Sequence, residues 1–284
     1  MSLDGDHYFY VNTLQLRGGS VSDNQRDPVN GRRALFGCAC CPPSVLRTLS
    51  VLHTYLATSD PGGLQLHQYA AADVTAELAG GAVALRVHTD YPHDPTVRIS
   101  VATTPDTAWT LSLRIPSWCP DASLTVDGEP AGGTLAAGTT ASVHRTWTAG
   151  TEVVLELPIP VRLHVSDDRV DATRGSVAFT RGPLVYAFEQ VDQPAGVPVD
   201  DLRITAAPTP GTALPQPEPS TGAGGGTVAT ATATAQPELL GGIHTITVPA
   251  TVRGGTDAVD AVAVPYAVWA NREVGPMRVW TPLA

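Results

Sequence analysis

From Leu64 onward, hydrophobic and polar residues alternate along most of the chain, and few folds are compatible with that pattern. The hydrophobic runs with a period of two include Val83, Leu85 and Val87; Val97, Ile99 and Val101; and Trp109, Leu111, Leu113 and Ile115. Successive side chains of a β-strand point to opposite faces, so each run predicts a strand with one buried face. Short strands separated by turn residues such as Asp127-Gly128 are typical of antiparallel β-sandwiches. We therefore predict a mainly β protein.

A length of 284 residues is sufficient for two such domains. We predict two antiparallel, jelly-roll-like β-sandwiches, the first at residues 60–167 and the second at residues 168–284. Pro, Gly, Ala and Thr dominate residues 206–237, and this composition has too little apolar bulk to anchor a core. We predict that this insert is a mobile loop within the second sandwich.

One amphipathic helix is predicted before the alternating runs. Four hydrophobic residues recur at helical spacing, namely Val45, Leu49, Leu52 and Leu56. Pro42 and Pro43 suit the first turn of a helix, so we predict a helix from about Pro43 to Ala57 that Asp60-Pro61-Gly62-Gly63 ends. A single amphipathic helix cannot bury its apolar face alone. It must therefore lie against the sandwich or stay partly exposed.

The composition argues against several classes of partner. The net charge is −10 and the pI is near 5.1, whereas nucleic acids and anionic membrane surfaces both attract basic faces. No apolar run approaches the roughly 18 residues of a membrane-spanning helix. The four cysteines do not form a disulfide framework, because three of them are crowded together. Reduced thiols predict a cytoplasmic protein.

Three cysteines lie in the stretch Phe36-Gly37-Cys38-Ala39-Cys40-Cys41-Pro42-Pro43. Two neighbouring thiolates can share one zinc ion, and a thiol just before a helix N-terminus has a lowered pKa. On residue type alone, an inert buried cluster and a redox site are alternatives to zinc. A closed zinc site needs four ligands, so this array by itself is an incomplete one.

Six motifs follow one another along the chain: Tyr8-Phe9-Tyr10-Val11-Asn12, the cysteine stretch from Phe36 to Pro43, Thr89-Asp90-Tyr91-Pro92, Leu113-Arg114-Ile115-Pro116-Ser117-Trp118-Cys119, Thr180-Arg181-Gly182-Pro183-Leu184-Val185-Tyr186, and Val264-Pro265-Tyr266-Ala267-Val268-Trp269-Ala270-Asn271-Arg272. Together they resemble glycoside hydrolase family 127, the β-L-arabinofuranosidase family. The resemblance implies an (α/α)6 barrel followed by two β-sandwich domains. It also implies a zinc held by three cysteines and a glutamate, with a second glutamate as acid/base.

By this resemblance, Cys40 is the nucleophile and a zinc ligand, Cys41 is a second zinc ligand, and Cys38 has no assigned role. Tyr8 and Tyr10 either line the sugar pocket or are core aromatic residues, because an aromatic face and a hydroxyl suit both environments.

The family's other ligands and its acid/base glutamate lie upstream of the cysteine motif. The 35 residues before Phe36 contain no Cys and no Glu, and the first glutamate is Glu77. We therefore expect the C-terminal part of such an enzyme, in which residues 1–59 are the remnant of a truncated (α/α)6 barrel and include its last helix. Zinc binding by this chain alone is expected to be weak or absent.

Two hypotheses follow from these observations. The chain is part of a zinc-dependent retaining glycosidase that acts on an arabinose-containing glycan and is inactive in isolation. Alternatively, it is a non-catalytic β-sandwich module that binds carbohydrate or pairs subunits, as in a homodimer. An upstream reading frame encoding a helical barrel with a Glu and a Cys would favour the first hypothesis. Glycan binding by the isolated chain without such a frame would favour the second.

The remaining candidates are interpreted as structural. Cys119 is expected to be a small buried hydrophobic residue, and Asp90 a turn residue. Four tryptophans are expected to be core residues in preference to a carbohydrate platform, namely Trp118, Trp147, Trp269 and Trp280.

Overall fold

The computed structural model describes residues 1–38, 40–133, 135–205, 225–227 and 231–284, and it divides into two compact units. The central unit is Pro42–Ile159, and the terminal unit joins Met1–Cys41 to Pro160–Ala284. The two ends of the chain therefore belong to one unit. In the parts of the chain described, no helix is both long and apolar enough to cross a membrane.

The N-terminal residues contain little regular structure. They form strand β1 (Gln15–Leu16), a 3-10 turn (Pro28–Asn30), helix α1 (Cys41–Val51) and a second 3-10 turn (Leu52–Tyr55). No residue of α1 or of the turn after it is buried. The large hydrophobic side chains of this stretch are 41–65% exposed. Of the two alternatives stated for the helix, the exposed one is observed.

The helix ends earlier than predicted, and Asp60–Gly63 is a hairpin turn instead of a helix stop. Residues Ala57–Asp60 form β2, which pairs antiparallel with β3 (Gly63–Leu66). Oδ1 of Asp60 accepts the Gly62 N–H at 2.7 Å, which is how an Asp side chain closes a turn. A Cβ atom on Gly63 would lie 2.3 Å from the carbonyl oxygen of Thr110, so only glycine fits there. Regular β-structure in the central unit thus starts at Ala57, within the stretch predicted to be helical.

The central unit is a sandwich of two sheets. Its further strands are β4 (Ala72–Leu78), β5 (Gly81–His88), β6 (Thr96–Thr103), β7 (Trp109–Arg114), β8 (Ser123–Val126), β9 (Glu129–Pro130), β10 (Thr140–Arg145) and β11 (Glu152–Glu156). One sheet has the order β10-β7-β3-β2 and the other the order β4-β5-β6-β11-β8-β9. Pairing is antiparallel except between β3 and β7, which are parallel among the strands described.

Hydrophobic side chains from both sheets form one buried cluster, as the alternation predicts. It contains Leu111 and Leu113 from one sheet and Ile99 and Val153 from the other, all fully buried. The predicted hairpin at Asp127-Gly128 is confirmed. Both residues have left-handed φ angles, 52° and 84°, as a two-residue hairpin turn requires.

The terminal unit contains one branched network of strands. They are β12 (Val161–Val165), β13 (Ser176–Arg181), β14 (Leu184–Glu189), β15 (Leu202–Ile204), β16 (Gly225–Thr227), β17 (Thr232–Gln236), β18 (Ile243–Val252), β19 (Val259–Pro265), β20 (Met277–Arg278) and β21 (Thr281–Pro282), with 3-10 turns at Gln190–Asp192, Val199–Asp201 and Tyr266–Val268. The main path is β15-β18-β19-β14-β13-β12-β16, and β1, β17, β20 and β21 pair to its sides. The prediction of a mainly β fold is confirmed.

Two details differ from the sequence-based division of the second sandwich. Strand β12 pairs with β13, so the two units divide between Ile159 and Pro160 and not at residues 167 and 168. Within the insert predicted at residues 206–237, residues 206–224 and 228–230 lie outside the described residues. The end of that insert is a strand, because β17 hydrogen-bonds to β18 through its backbone and needs little apolar bulk to do so.

Replacing a core leucine tests which parts of the central unit pack. We expect Leu111→Ala to lower the free energy of unfolding by about 2–5 kcal/mol, since the side chain is fully buried. The same change at the exposed Leu49 of α1 should alter it by less than about 0.5 kcal/mol. Denaturant titrations at an unchanged m-value measure both effects. A loss at Leu49 as large as that at Leu111 would mean that the helix is packed in solution.

Candidate functional site

The three clustered cysteines lie where the N-terminal segment meets helix α1. Cys40 directly precedes the first helical residue, Cys41, and is exposed, whereas Cys38 and Cys41 are partly buried. The Sγ atom of Cys40 lies 3.6 Å from the Sγ atom of Cys38 and 3.6 Å from that of Cys41. Cys40 is therefore the central sulfur of the cluster. It also lies at the positive end of the helix dipole, as the sequence predicts.

Aromatic packing brings the first motif against the cysteine stretch. The ring of Phe36 is buried and makes edge contacts with Tyr8 and Tyr10, at centroid distances of 5.0 and 5.5 Å. Tyr8 and Arg33 exchange two backbone hydrogen bonds, of 3.0 and 3.1 Å. As a result, the hydroxyl of Tyr10 lies 3.7 Å from the Sγ atom of Cys40.

The two tyrosines proposed as pocket residues thus have different surroundings. Tyr10 contacts Cys40, and the guanidinium carbon of Arg26 lies 4.7 Å from the centroid of the Tyr10 ring. The hydroxyl of Tyr8 is buried, and no hydrogen-bond partner for it lies in the part of the chain that the structure describes. The sequence indicates Tyr10 as a candidate pocket residue by its residue type alone. The contact with Cys40 could not be foreseen, because 30 residues separate the two.

Hydrogen bonds favour the thiolate form of Cys40. The Tyr10 hydroxyl, followed by the thiols of Cys38 and Cys41, stabilises the Cys40 thiolate and lowers its pKa. The same contact raises the pKa of Tyr10 to about 12, because the hydroxyl proton is held against the sulfur. The hydrogen bond to Cys40 also raises the pKa of Cys41. A nucleophilic thiol needs this thiolate character.

The sulfur geometry fits two zinc ligands. Zinc–sulfur bonds are about 2.3 Å long, so two sulfurs of a tetrahedral site are about 3.8 Å apart. The 3.6 Å separation between Cys40 and Cys41 is close to that value. In the described parts of the chain, one group of three potential metal ligands has its ligand atoms within 4.8 Å of one another, namely Asp4, Asp6 and His7. The three cysteines do not form such a group. The cluster therefore accounts for a pair of ligands and not for a complete site.

The residues interpreted as structural lie outside this cluster. Cys119 is fully buried, and its sulfur lies 3.8 Å from the carbonyl oxygen of Pro158. Asp90 accepts backbone hydrogen bonds from His93 and Asp94, as a turn residue does. Trp147 and Trp269 are both 2% exposed core residues, while Trp118 and Trp280 are partly buried against their cores.

Replacing Tyr10 with Phe should raise the pKa of Cys40, because the thiolate loses the hydrogen bond that contributes most to its stabilisation. The measurement is the rate of alkylation of Cys40 against pH in the metal-free chain, with the modified residue located by mass spectrometry. Tyr8→Phe is the matched control, since its hydroxyl has no hydrogen-bond partner among the described residues. A pH midpoint that moves equally in both variants, or in neither, would contradict the assigned role of Tyr10.

Comparisons with known sequences identify the two units. Residues 63–159 match the family model described as the β-L-arabinofuranosidase, glycoside hydrolase family 127 middle domain. Residues 161–282 match the model of the glycoside hydrolase family 127 C-terminal domain. The boundary between the two matches coincides with the division between β11 and β12.

Several relatives agree with this assignment. A non-reducing end β-L-arabinofuranosidase from Bifidobacterium longum subsp. longum is 35% identical over 306 residues, which cover 99% of this chain and 42% of the relative. A solved glycoside hydrolase structure is 31% identical with a TM-score of 0.85, and the match covers 100% of this chain and 46% of that one.

A further structure, a family 127 β-L-arabinofuranosidase from Geobacillus stearothermophilus T6, is 31% identical with a TM-score of 0.80, and the match covers 100% of this chain and 44% of that one. The chain thus spans less than half the length of each of these relatives. From residue 63 to residue 282 it carries the middle and C-terminal domains in order, and it belongs to glycoside hydrolase family 127.

Proposed function

We propose that this chain is the C-terminal portion of a zinc-dependent retaining β-L-arabinofuranosidase in which Cys40 is the nucleophile. The observation that carries this proposal is the environment of Cys40. Its sulfur is exposed, precedes a helix and is hydrogen-bonded by Tyr10 and Cys38. The Bifidobacterium and Geobacillus relatives are β-L-arabinofuranosidases, and they supply the reaction class.

The chemistry requires two displacements at one carbon. First, the Cys40 thiolate attacks the anomeric carbon of a terminal arabinofuranosyl residue. The C–S bond forms as the glycosidic C–O bond breaks, and a carboxylic acid gives the leaving oxygen its proton. Next, the resulting carboxylate takes a proton from a water molecule, whose oxygen displaces the sulfur. The thiolate is regenerated, and two inversions leave the anomeric configuration unchanged.

Cys40 and Cys41 are the residues of this chain that would hold the zinc. Bound zinc keeps its thiol ligands deprotonated at neutral pH. Tyr10 acts on the same sulfur by donating a hydrogen bond to the thiolate, and its own raised pKa keeps the hydroxyl a donor up to about pH 12. This contribution of Tyr10 does not depend on the metal.

The carboxylic acid and the remaining zinc ligands are assigned to the length that the relatives have beyond this chain. The exposed helix supports that assignment. Val45, Leu46 and Leu49 are 41–65% exposed on one short helix, an arrangement that costs free energy unless another surface covers it. We expect the missing part of the barrel to cover it.

We further propose that the enzyme acts on arabinose-containing glycans in the cytoplasm. Cys38, Cys40 and Cys41 are free thiols, and a reducing compartment preserves such thiols.

In isolation, the chain should bind zinc weakly and show no turnover above background. It supplies two presumptive ligands against the four of a closed site, and no acid/base residue is assigned to it. Calorimetric titration with zinc and an assay with an aryl β-L-arabinofuranoside measure the two properties. Clear turnover that disappears in Cys40→Ser would support the nucleophile but contradict the assignment of the chain as an incomplete enzyme. Glycan binding in the absence of any upstream catalytic region would instead support a non-catalytic module.

The role of Cys40 is tested in a chimera that joins the upstream part of the Geobacillus relative to this chain. Cys40→Ser should lower kcat by at least about 10³-fold, because removing a nucleophile abolishes the covalent route. Cys119→Ala changes a buried thiol outside the cluster and should retain most of the activity.

Mass spectrometry of the quenched chimera reaction should find a pentosyl adduct on Cys40. An adduct on another residue, or unchanged kcat in Cys40→Ser, would rule out this nucleophile.

A further inference from the structure

We propose that the segment Tyr266–Arg272, which we call the tryptophan platform, positions the nucleophile by fixing the N-terminal segment, and that Trp269 is its central positioning residue. The N-terminal segment, here called the cysteine arm, is residues 1–41. This inference rests on the proposed role of Cys40, and it adds residues more than 220 positions away in the sequence to the machinery of the site.

The cysteine arm and the tryptophan platform are in direct contact. The ring of Phe9 stacks on Trp269 with a centroid distance of 4.6 Å and an angle of 12° between the planes. Both residues belong to the same buried cluster. The guanidinium carbon of Arg32 lies 4.5 Å from the centroid of the Phe9 ring, and its Nη2 donates to the carbonyl oxygen of Trp269 at 2.5 Å. Trp269 thus contacts two separate points of the arm.

These two points flank the bridge that carries the cysteines. Phe9 follows Tyr8, and Arg32 precedes Arg33, and Tyr8 and Arg33 are the pair that exchanges two backbone hydrogen bonds. Trp269 therefore holds both sides of the bridge. Beyond it, Phe36 packs against Tyr8 and Tyr10, and Tyr10 reaches the sulfur of Cys40.

Two further hydrogen bonds fix how the arm lies along the platform. The hydroxyl of Tyr266 donates to the carbonyl oxygen of Thr13 at 2.7 Å. The backbone N–H of Leu3 donates to Oδ1 of Asn271 at 3.0 Å. These contacts lie at several points along the arm. They therefore restrict movement of the arm along the platform as well as its separation from the platform.

The platform itself is held in an unusual conformation. Ala270 has φ 53°, in the left-handed region that residues with a Cβ rarely adopt. Its N–H donates to Oε1 of Glu189 at 2.6 Å, and Nη2 of Arg272 donates to Oε2 of the same carboxylate at 3.1 Å. Nη1 and Nη2 of Arg272 also donate to Oδ1 and Oδ2 of Asp192, each at 2.6 Å.

The Glu189 side chain is only 5% exposed. Buried ion pairs contribute little net stability, and strained residues persist only where the surroundings determine them. The buried Glu189 carboxylate and the left-handed conformation of Ala270 together fit a platform that is held in place to position the arm.

The same carboxylate acts on the arm. Burial lowers the pKa of Arg32, and the negative charge of Glu189 partly offsets that effect. Within the described ranges, the Nε and Nη1 atoms of Arg32 are buried without hydrogen-bond partners. The contacts of the guanidinium are with the Phe9 ring and the Trp269 carbonyl, and it lies in the field of this charge. Glu189 thus connects the strand β14 to both the platform and the arm.

The test compares Trp269→Ala with Trp269→Phe and Val248→Ala in the chain as it stands. Val248 is a fully buried residue of the other cluster of the terminal unit, so it controls for general destabilisation. Hydrogen–deuterium exchange of peptides from the arm and from β18 and β19 is measured, together with the alkylation rates of Cys40 and Cys119. Cys119 is fully buried in the central unit, so we expect it to react only when that unit unfolds.

In Trp269→Ala, arm amides including Tyr8 and Arg33 should exchange at least about tenfold faster, whereas β18 and β19 stay protected. The alkylation rate of Cys40 should change while Cys119 remains unlabelled. Trp269→Phe should restore most of the arm protection, because it keeps a ring against Phe9. In Val248→Ala, exchange of the arm amides should increase no more than exchange in the rest of the terminal unit.

Unchanged arm protection in Trp269→Ala, or equal loss in Val248→Ala, would overturn the positioning role. Neither outcome bears on whether Cys40 is the nucleophile. Conversely, unchanged kcat in the Cys40→Ser chimera would rule out the proposed nucleophile and leave these exchange results intact.

Discussion

Burial of one face of each strand is the interaction on which both units depend. In the central unit, alternating side chains from two sheets meet in one cluster that is almost free of solvent. Because strands from β3 to β11 supply this core, the unit has no need of helix α1, which contributes no buried residue. Hydrophobic burial therefore explains the sandwich. The helix is exposed because it takes no part in that burial.

The cysteine arm is held by another kind of interaction. Apart from the short β1, it adds no strand to the network of the terminal unit, and its position depends on a stacked ring pair, one guanidinium and a few hydrogen bonds. Such contacts are directional, so they define where a side chain lies more closely than apolar burial does. A nucleophile needs that kind of definition, since small displacements of reacting atoms reduce rates strongly.

The cysteine cluster supplies part of the chemistry that we propose for this protein. Tyr10, Cys38 and Cys41 favour the thiolate of Cys40, and the spacing of Cys40 and Cys41 suits one zinc ion. The exposed apolar helix begins at the same place. The pair of proposed zinc ligands and the uncovered hydrophobic helix thus follow one another in the sequence, in a chain that spans less than half the length of its relatives. Both features have one explanation if the site is completed by that additional length.

The local pattern of residues determined a large part of this protein. Alternation over two residues predicted most strands, Asp127-Gly128 predicted its hairpin, and the proline pair after Cys41 placed a helix start beside the central thiol. These features depend on neighbours in the sequence, so they can be inferred without the fold. The ordered motifs added the family and, through it, the proposal that Cys40 and Cys41 are site residues.

Tertiary structure alone decided the rest. The strand Thr232–Gln236 exists because β18 lies beside it, and the helix ends early because Ala57–Asp60 pairs with β3. The contacts of Tyr10 with Cys40 and of Phe9 with Trp269 join residues 30 and 260 positions apart. No local pattern encodes such distances, because they follow from how strand register and packing bring distant segments together.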